Sequence, residues 1–180
     1  MVGYMYHYLY ALPKYVFVLI GLGGLMFWFL CRVSGFSKKY EKAWKFFNTA
    51  VLILVIIFVF FAALIYRIDK PQERILRLRP FQFLIDMKYS LEYLRLALLN
   101  TLVFIPFGLC IPELIEKKYS PIKVIIITVS TAFLISLTVE IAQYVFNLGV
   151  SEFDDLMLNT FGAALGTIPF IVTQKWRRKS

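Results

Sequence analysis

Five runs without Asp, Glu, Lys, Arg or His divide the chain: Tyr15 to Cys31, Phe46 to Tyr66, Leu96 to Pro112, Val124 to Val139 and Leu156 to Gln174. A hydrocarbon core takes roughly 20 apolar residues per helix, within a range near 17 to 25. The second and fifth runs meet that outright. The first and third reach it with a flanking turn, and the fourth continues apolar past Glu140 to Leu148. The pattern predicts an all-α, polytopic membrane protein with about five transmembrane helices.

Composition agrees. The chain is 60% hydrophobic and 17% charged, whereas soluble domains run nearer half apolar and a quarter charged. A sphere of this size has too little interior to hide that much apolar surface from water. The net charge of +9 sits in clusters between the runs, where it anchors helices beside anionic headgroups. Membrane lipid is therefore the expected partner, and nucleic acid is not. His7 is the only histidine, and Cys31 and Cys110 stand far apart in apolar runs. Zinc and thiol chemistry lack their ligands, so no metal and no cofactor are expected, and the two cysteines are expected to stay unpaired. The lead MVGYMYHYLYALPK has no basic n-region, so the first run is not read as a cleaved signal. Tyr4, Tyr6, Tyr8 and Tyr10 read instead as an interfacial belt.

Orientation follows from the Lys and Arg count. The first connection, the third connection and the tail together hold 12, and the opposite side holds 8. The positive-inside rule then places the N-terminus outside and the C-terminus in the cytoplasm. The long second connection, ERILRLRPFQFLIDMKYSLEYLR, mixes apolar and basic positions. It is expected to lie along the membrane surface as an interfacial segment broken by Pro80.

Polar groups inside the runs are the candidates for function, since a charge at the centre of a bilayer costs about 2.5 to 3.5 kcal/mol. Ser136, Glu140 and Gln143 share one face of the fourth helix, and Asp155, Asn159, Gly162 and Gly166 share one face of the fifth. Asn100 lies near the start of the third run, with Arg95 about a turn and a half before it. In the orientation above, all of these sit at similar depth beneath the outer leaflet. Asn100, Ser136, Glu140, Gln143, Asp154, Asp155 and Asn159 are expected to form a polar pocket there, with Arg79 and Arg95 as candidate partners for an anion. Gly162-x-x-x-Gly166 would let another backbone approach closely, and Pro106 with Gly108 would kink the third helix. Simpler readings stay open. The polar groups could only stitch helices together, and Asp154 could be the N-cap of the fifth helix, with Asp155 beside its positive end. Glu113, at the far end of the third helix, is expected to be silent.

The same residues carry a resemblance. Arg79-Pro80-Phe81 is followed by Asn100, then FIPFG from Phe104 to Gly108, and Pro112. Next come Ser136-x-x-x-Glu140-x-x-Gln143, Asp154-Asp155-x-x-x-Asn159 and Gly162-x-x-x-Gly166. From about Arg77 to Val172 the chain resembles the VanZ family, named for a teicoplanin-resistance membrane protein of Gram-positive bacteria. One departure is the Leu148-Gly149-Val150-Ser151 stretch, where many members carry an Arg. Arg95, or an Arg of the second connection, is the expected substitute. The resemblance divides the chain into residues 1–76 with two N-terminal helices, a VanZ-like three-helix domain at 77–172, and a basic cytoplasmic tail at 173–180. It implies a bacterial cell-envelope protein that lowers susceptibility to the glycopeptide teicoplanin.

Three functions fit. The pocket binds or gates a lipid, a lipid-linked cell-wall precursor or the glycopeptide itself. Alternatively it modifies a lipid-linked headgroup, with Glu140 and Asp155 as an acid/base pair, or its helix faces dock another membrane protein. Walker, kinase and Gly-x-Ser-x-Gly patterns are missing from the sequence, which leaves ATP-driven transport and serine hydrolysis without support.

Overall fold

A computed structural model describes residues 14–68 and 74–177 of the chain. Tyr4 to Tyr10 and the end of the basic tail, with Arg178 and Lys179, lie outside the described residues. The chain forms two compact units, Met1–Glu41 and Lys42–Ser180.

The first unit contains α1, Lys14–Val33, and a single turn α2, Phe36–Lys39. Gly35 joins them at φ 78°, a left-handed conformation that glycine adopts without a Cβ penalty. With 20 residues, α1 is about 30 Å long.

The second unit holds everything else. Its first helix is α3, Glu41–Ala63, which opens at the boundary between the units and runs into a 3-10 turn, Ile65–Arg67. Strand β1, Ile75–Arg77, and the short helix α4, Gln82–Asp86, follow. Then come α5, Leu91–Ile115, and α6, Pro121–Phe146. Strand β2, Val150–Glu152, leads into α7, Phe153–Gly166, and α8, Ile168–Arg177. Four stretches are long and apolar enough to cross a membrane: α3, α5, α6 and the combined Phe153–Gln174. Their outer faces expose Leu54 and Ile57 on α3, Leu98 and Leu102 on α5, and Leu134 and Ile141 on α6. Such surfaces suit hydrocarbon rather than water.

Local chemistry sets the helix ends. Ser90 caps α5 by accepting the N–H of Glu92 at 3.2 Å. Pro121 starts α6, where its missing N–H costs nothing. Asn147 ends that helix at φ 56° with its N–H on the Gln143 carbonyl. The fifth apolar run is not one helix. It breaks at Thr167 between α7 and α8, because Pro169 has no N–H to continue the ladder.

The core forms where α3, α5, α6 and α7 meet, around Val59, Phe104, Phe107, Ala132, Val139 and Ala163. Only 11% of the α3 window is buried, against 44% of the Phe153–Gln174 window, so α7 is central and α3 peripheral. Glycines explain the close fit of α5 on α7. A Cβ on Gly162 would collide with the Thr101 carbonyl oxygen, and one on Gly166 with the Ile105 carbonyl oxygen. A Cβ on Gly108 would stand 2.8 Å from the Gly166 Cα. The small residues thus bring two backbones into direct contact. Pro106 and Pro112 both lie inside α5, which stays helical through them.

One feature is not helical. Strands β1 and β2 pair in parallel, with Ile75 opposite Val150, Leu76 opposite Ser151 and Arg77 opposite Glu152. The all-α expectation missed this pair, because three-residue strands are too short to carry a readable period.

Candidate functional site

At the end of the second unit where α3 and α6 finish and α5 and α7 begin, a cavity of about 130 Å³ opens among the four helices. Its apolar wall comes from Phe58, Val59 and Ala62 on α3 with Val103 and Phe104 on α5. The polar wall comes from Arg67, Asn100, Glu140, Gln143, Asp155 and Asn159. Helical spacing explains how one wall collects them. Glu140 and Gln143 are one turn apart on α6, and Asp155 and Asn159 are one turn apart on α7.

Each polar group has a defined partner. Asn100 donates from Nδ2 to Asp155 Oδ1 at 2.6 Å, which ties α5 to α7. Asn159 Nδ2 lies 2.9 Å from Ser136 Oγ, tying α7 to α6. Glu140 Oε2 accepts the backbone N–H of Glu152 at 2.8 Å, so the carboxylate reaches the strand pair. Gln143 donates from Nε2 to the Ala63 carbonyl at 3.2 Å. That carbonyl belongs to the last turn of α3, whose oxygens have no partner within the helix. The amide oxygen of Gln143 is left over: it is buried and has no hydrogen-bond partner among the described residues.

The expected pocket residues are not all in one place. Asn100, Glu140, Gln143, Asp155 and Asn159 line the cavity. Ser136 stands one step behind it and orients Asn159. Asp154 points elsewhere. Its Oδ1 accepts the N–H of Phe81 at 2.6 Å and its Oδ2 the N–H of Phe83 at 2.8 Å. The N-cap of α7 is Glu152, which has no side-chain cap bond, so the capping role read for Asp154 is corrected to a clamp on the Arg79-Pro80-Phe81 turn. Neither candidate arginine lines the cavity. Arg79 is exposed, and Arg95 pairs with Glu92 on the open surface at 3.1 Å.

The cation at the cavity is Arg67, which the sequence offered only as one of several arginines in the second connection. Its guanidinium faces the Leu148 carbonyl at 3.5 Å, inside the stretch where the family pattern has its own Arg. Two further residues escaped the sequence reading. Glu152 supplies the N–H that holds Glu140, and its own carboxylate pairs with Arg77 at 3.0 Å. Burial pushes the Glu152 carboxyl above its ordinary range, and the Arg77 guanidinium draws it partly back. No sequence signal marked these contacts, since they depend on the β1–β2 register. Glu113 plays no part in the cavity, but it is not inert. It is buried near the other end of α5, and its Oε2 accepts from Trp44 Nε1 at 2.6 Å.

A bundle of apolar helices with a carboxylate-lined cavity at one end defines a multi-pass helical membrane protein. Residues 46–174 match the VanZ/LLP1 family model. The chain belongs to the VanZ family. That match takes in α3 from Phe46 onward as well as the motifs from Arg79 onward. Among curated proteins and among solved structures, nothing matches the chain.

Proposed function

We propose that the protein crosses the membrane five times, with α1 as the first crossing, its N-terminus outside and its C-terminus in the cytoplasm. The cavity then lies beneath the outer leaflet. The segment from Arg74 to Ser90 rests along the membrane surface, a reading supported by exposed Leu76, Leu78, Phe81 and Leu84 interleaved with Arg74, Arg77 and Arg79.

In this position the cavity binds or gates a lipid or a lipid-linked ligand of the outer leaflet, and by family membership this activity lowers susceptibility to teicoplanin. The single observation that carries the reading is the cavity wall itself, where the Glu140 and Asp155 carboxylates face one space. Helix stitching alone does not need two facing carboxylates beside an open space. A second reading, acid/base chemistry on a headgroup, is favoured by one fact: both Glu140 and Asp155 face the same space.

The test is teicoplanin susceptibility in a deletion strain complemented with Glu140→Gln or Asp155→Asn, with membrane levels confirmed for each variant. Loss of protection in both supports the reading, and full protection by a well-expressed Glu140→Gln protein contradicts it.

A further inference from the structure

The guanidiniums around the strand pair are not alike. Arg74 donates from Nε to Asn147 Oδ1 at 2.8 Å and lies over the Tyr144 ring. Arg77 pairs with Glu152 at 3.0 Å. Arg79 is exposed and makes no hydrogen bond or ion pair among the described residues. The acids of this region are engaged elsewhere. Asp154 spends both oxygens on the Phe81 and Phe83 N–H groups, Asp86 accepts from Gln82 Nε2 at 2.9 Å, and Glu152 faces Arg77. The charge of Arg79 is therefore turned outward without a counter-charge. The turn that presents it is built, not slack. Pro80 has a fixed φ, and Phe81 is held at φ 59° by the buried Asp154 carboxylate. On either side of Arg79-Pro80, Leu78 is 65% exposed and Phe81 52% exposed. The result is a fixed tip with two bare apolar side chains beside one unpaired cation.

We propose that the Leu78–Phe81 turn binds the phosphate of an anionic membrane lipid, with Arg79 on the phosphate and Leu78 and Phe81 among the acyl chains. This rests on the reading that the segment from Arg74 to Ser90 lies along the membrane surface, and it names the lipid that the segment selects. A guanidinium offers a planar fork of donors that fits two phosphate oxygens at once. An anionic lipid leaves its phosphate charge open to that fork. A zwitterionic lipid brings a cation of its own, which competes for the same oxygens and repels Arg79. The apolar neighbours argue for a lipid over a dissolved phosphate, since only a lipid covers Leu78 and Phe81. A cation above and apolar side chains below match the order of groups met on entering a leaflet. The Asp154 clamp holds the turn in this form before any lipid arrives, which lowers the ordering cost of binding.

The test places a bimane fluorophore beside the tip, on Leu84→Cys of the full-length protein with Cys31 and Cys110 replaced by Ala. The protein sits in mixed phosphatidylcholine–phosphatidylglycerol nanodiscs in which one lipid or the other, at equal mole fraction, is brominated near the glycerol end of its chains. Brominated phosphatidylglycerol should quench as though enriched about fivefold over brominated phosphatidylcholine, the factor that one basic residue beside an anionic headgroup carries. Arg79→Gln should make the two lipids equal while both still quench. Leu78→Ser should weaken quenching by both, and it keeps the test open if the Arg79 variant does not fold. Excess soluble glycerol phosphate should leave the preference unchanged. Equal quenching in the parent protein, a preference unchanged in Arg79→Gln, quenching unchanged in Leu78→Ser, or a preference abolished by glycerol phosphate overturns the lipid-phosphate tip while the surface placement stands. Absence of quenching by either lipid removes the surface placement itself, and the tip with it.

Discussion

Asp154 Oδ1 accepts the backbone N–H of Phe81 at 2.6 Å across 73 residues of chain. Phe81 sits at φ 59°, a conformation that a bulky residue adopts only when its surroundings enforce it. The same carboxylate takes the N–H of Phe83 at 2.8 Å. One acid on α7 thus fixes the turn that closes the segment between β1 and α5. Arg79-Pro80-Phe81 and Asp154-Asp155 therefore meet in the folded chain. They form one structural unit, with Asp155 alone facing the cavity.

Asp154→Asn should loosen that turn without emptying the cavity wall. An amide can present one acceptor where the carboxylate presents two, so the loss should be about 2 kcal/mol. Limited proteolysis between Leu78 and Ser90 should quicken, while the variant still inserts and purifies. An unchanged cleavage rate would separate the two motifs.

The α5–α7 contact should be the least tolerant in the protein. Gly162→Val and Gly166→Val place carbon where the Thr101 and Ile105 carbonyl oxygens stand, and overpacking of this kind costs about 1 to 3 kcal/mol or more. Gly24→Ala on α1 meets nothing within 4 Å and should leave thermal unfolding in detergent unchanged. If the three variants unfold alike, backbone contact is not what holds these helices.

Arg77 and Glu152 should give a pH-dependent difference. Burial raises the Glu152 carboxyl, Asp154 and Asp86 raise it further, and Arg77 lowers it. Because the folded value lies above the ordinary one, any stability from Glu152 is present at low pH and is lost as pH rises through the folded value. Removing the guanidinium moves that loss upward and enlarges it. Arg77→Gln should therefore cost more stability at pH 7.5 than at pH 5, read as the difference in Tm from the parent protein. An equal cost at both values would mean that Arg77 serves the turn and not the Glu152 charge.

Topology is tested by reporter fusions after Lys39 and after Ser180. Both should read cytoplasmic. Opposite readings would mean an odd number of crossings after Lys39 and would contradict crossings by all four of α3, α5, α6 and Phe153–Gln174.

Much of the membrane architecture was legible because charge-free runs are long and the bilayer demands them. Close approach of a backbone to α7 was legible too, from the spacing of Gly162-x-x-x-Gly166, but not that α5 is the partner. Helical period placed Glu140 beside Gln143 and Asp155 beside Asn159. What escaped was tertiary. Arg67 looks like any other basic residue of its connection until the 3-10 turn carries it to the cavity. Glu152 matters through strand register, and Asp154 through bonds to a distant turn. The break at Thr167 was readable from Pro169, but the apolar run around it reads as continuous.

The account stands or falls on the Glu140 carboxylate. The direct measurement is teicoplanin susceptibility of a deletion strain carrying Glu140→Gln, with the parent protein and Glu92→Gln, an exposed surface position, as comparisons at matched membrane levels. Gln keeps the size and can still accept the Glu152 N–H, so folding should survive. Protection should fall to that of the deletion strain for Glu140→Gln and stay at the parent level for Glu92→Gln. A Glu140→Gln protein that protects as well as its parent would contradict the central claim and leave these polar groups as helix-to-helix contacts alone.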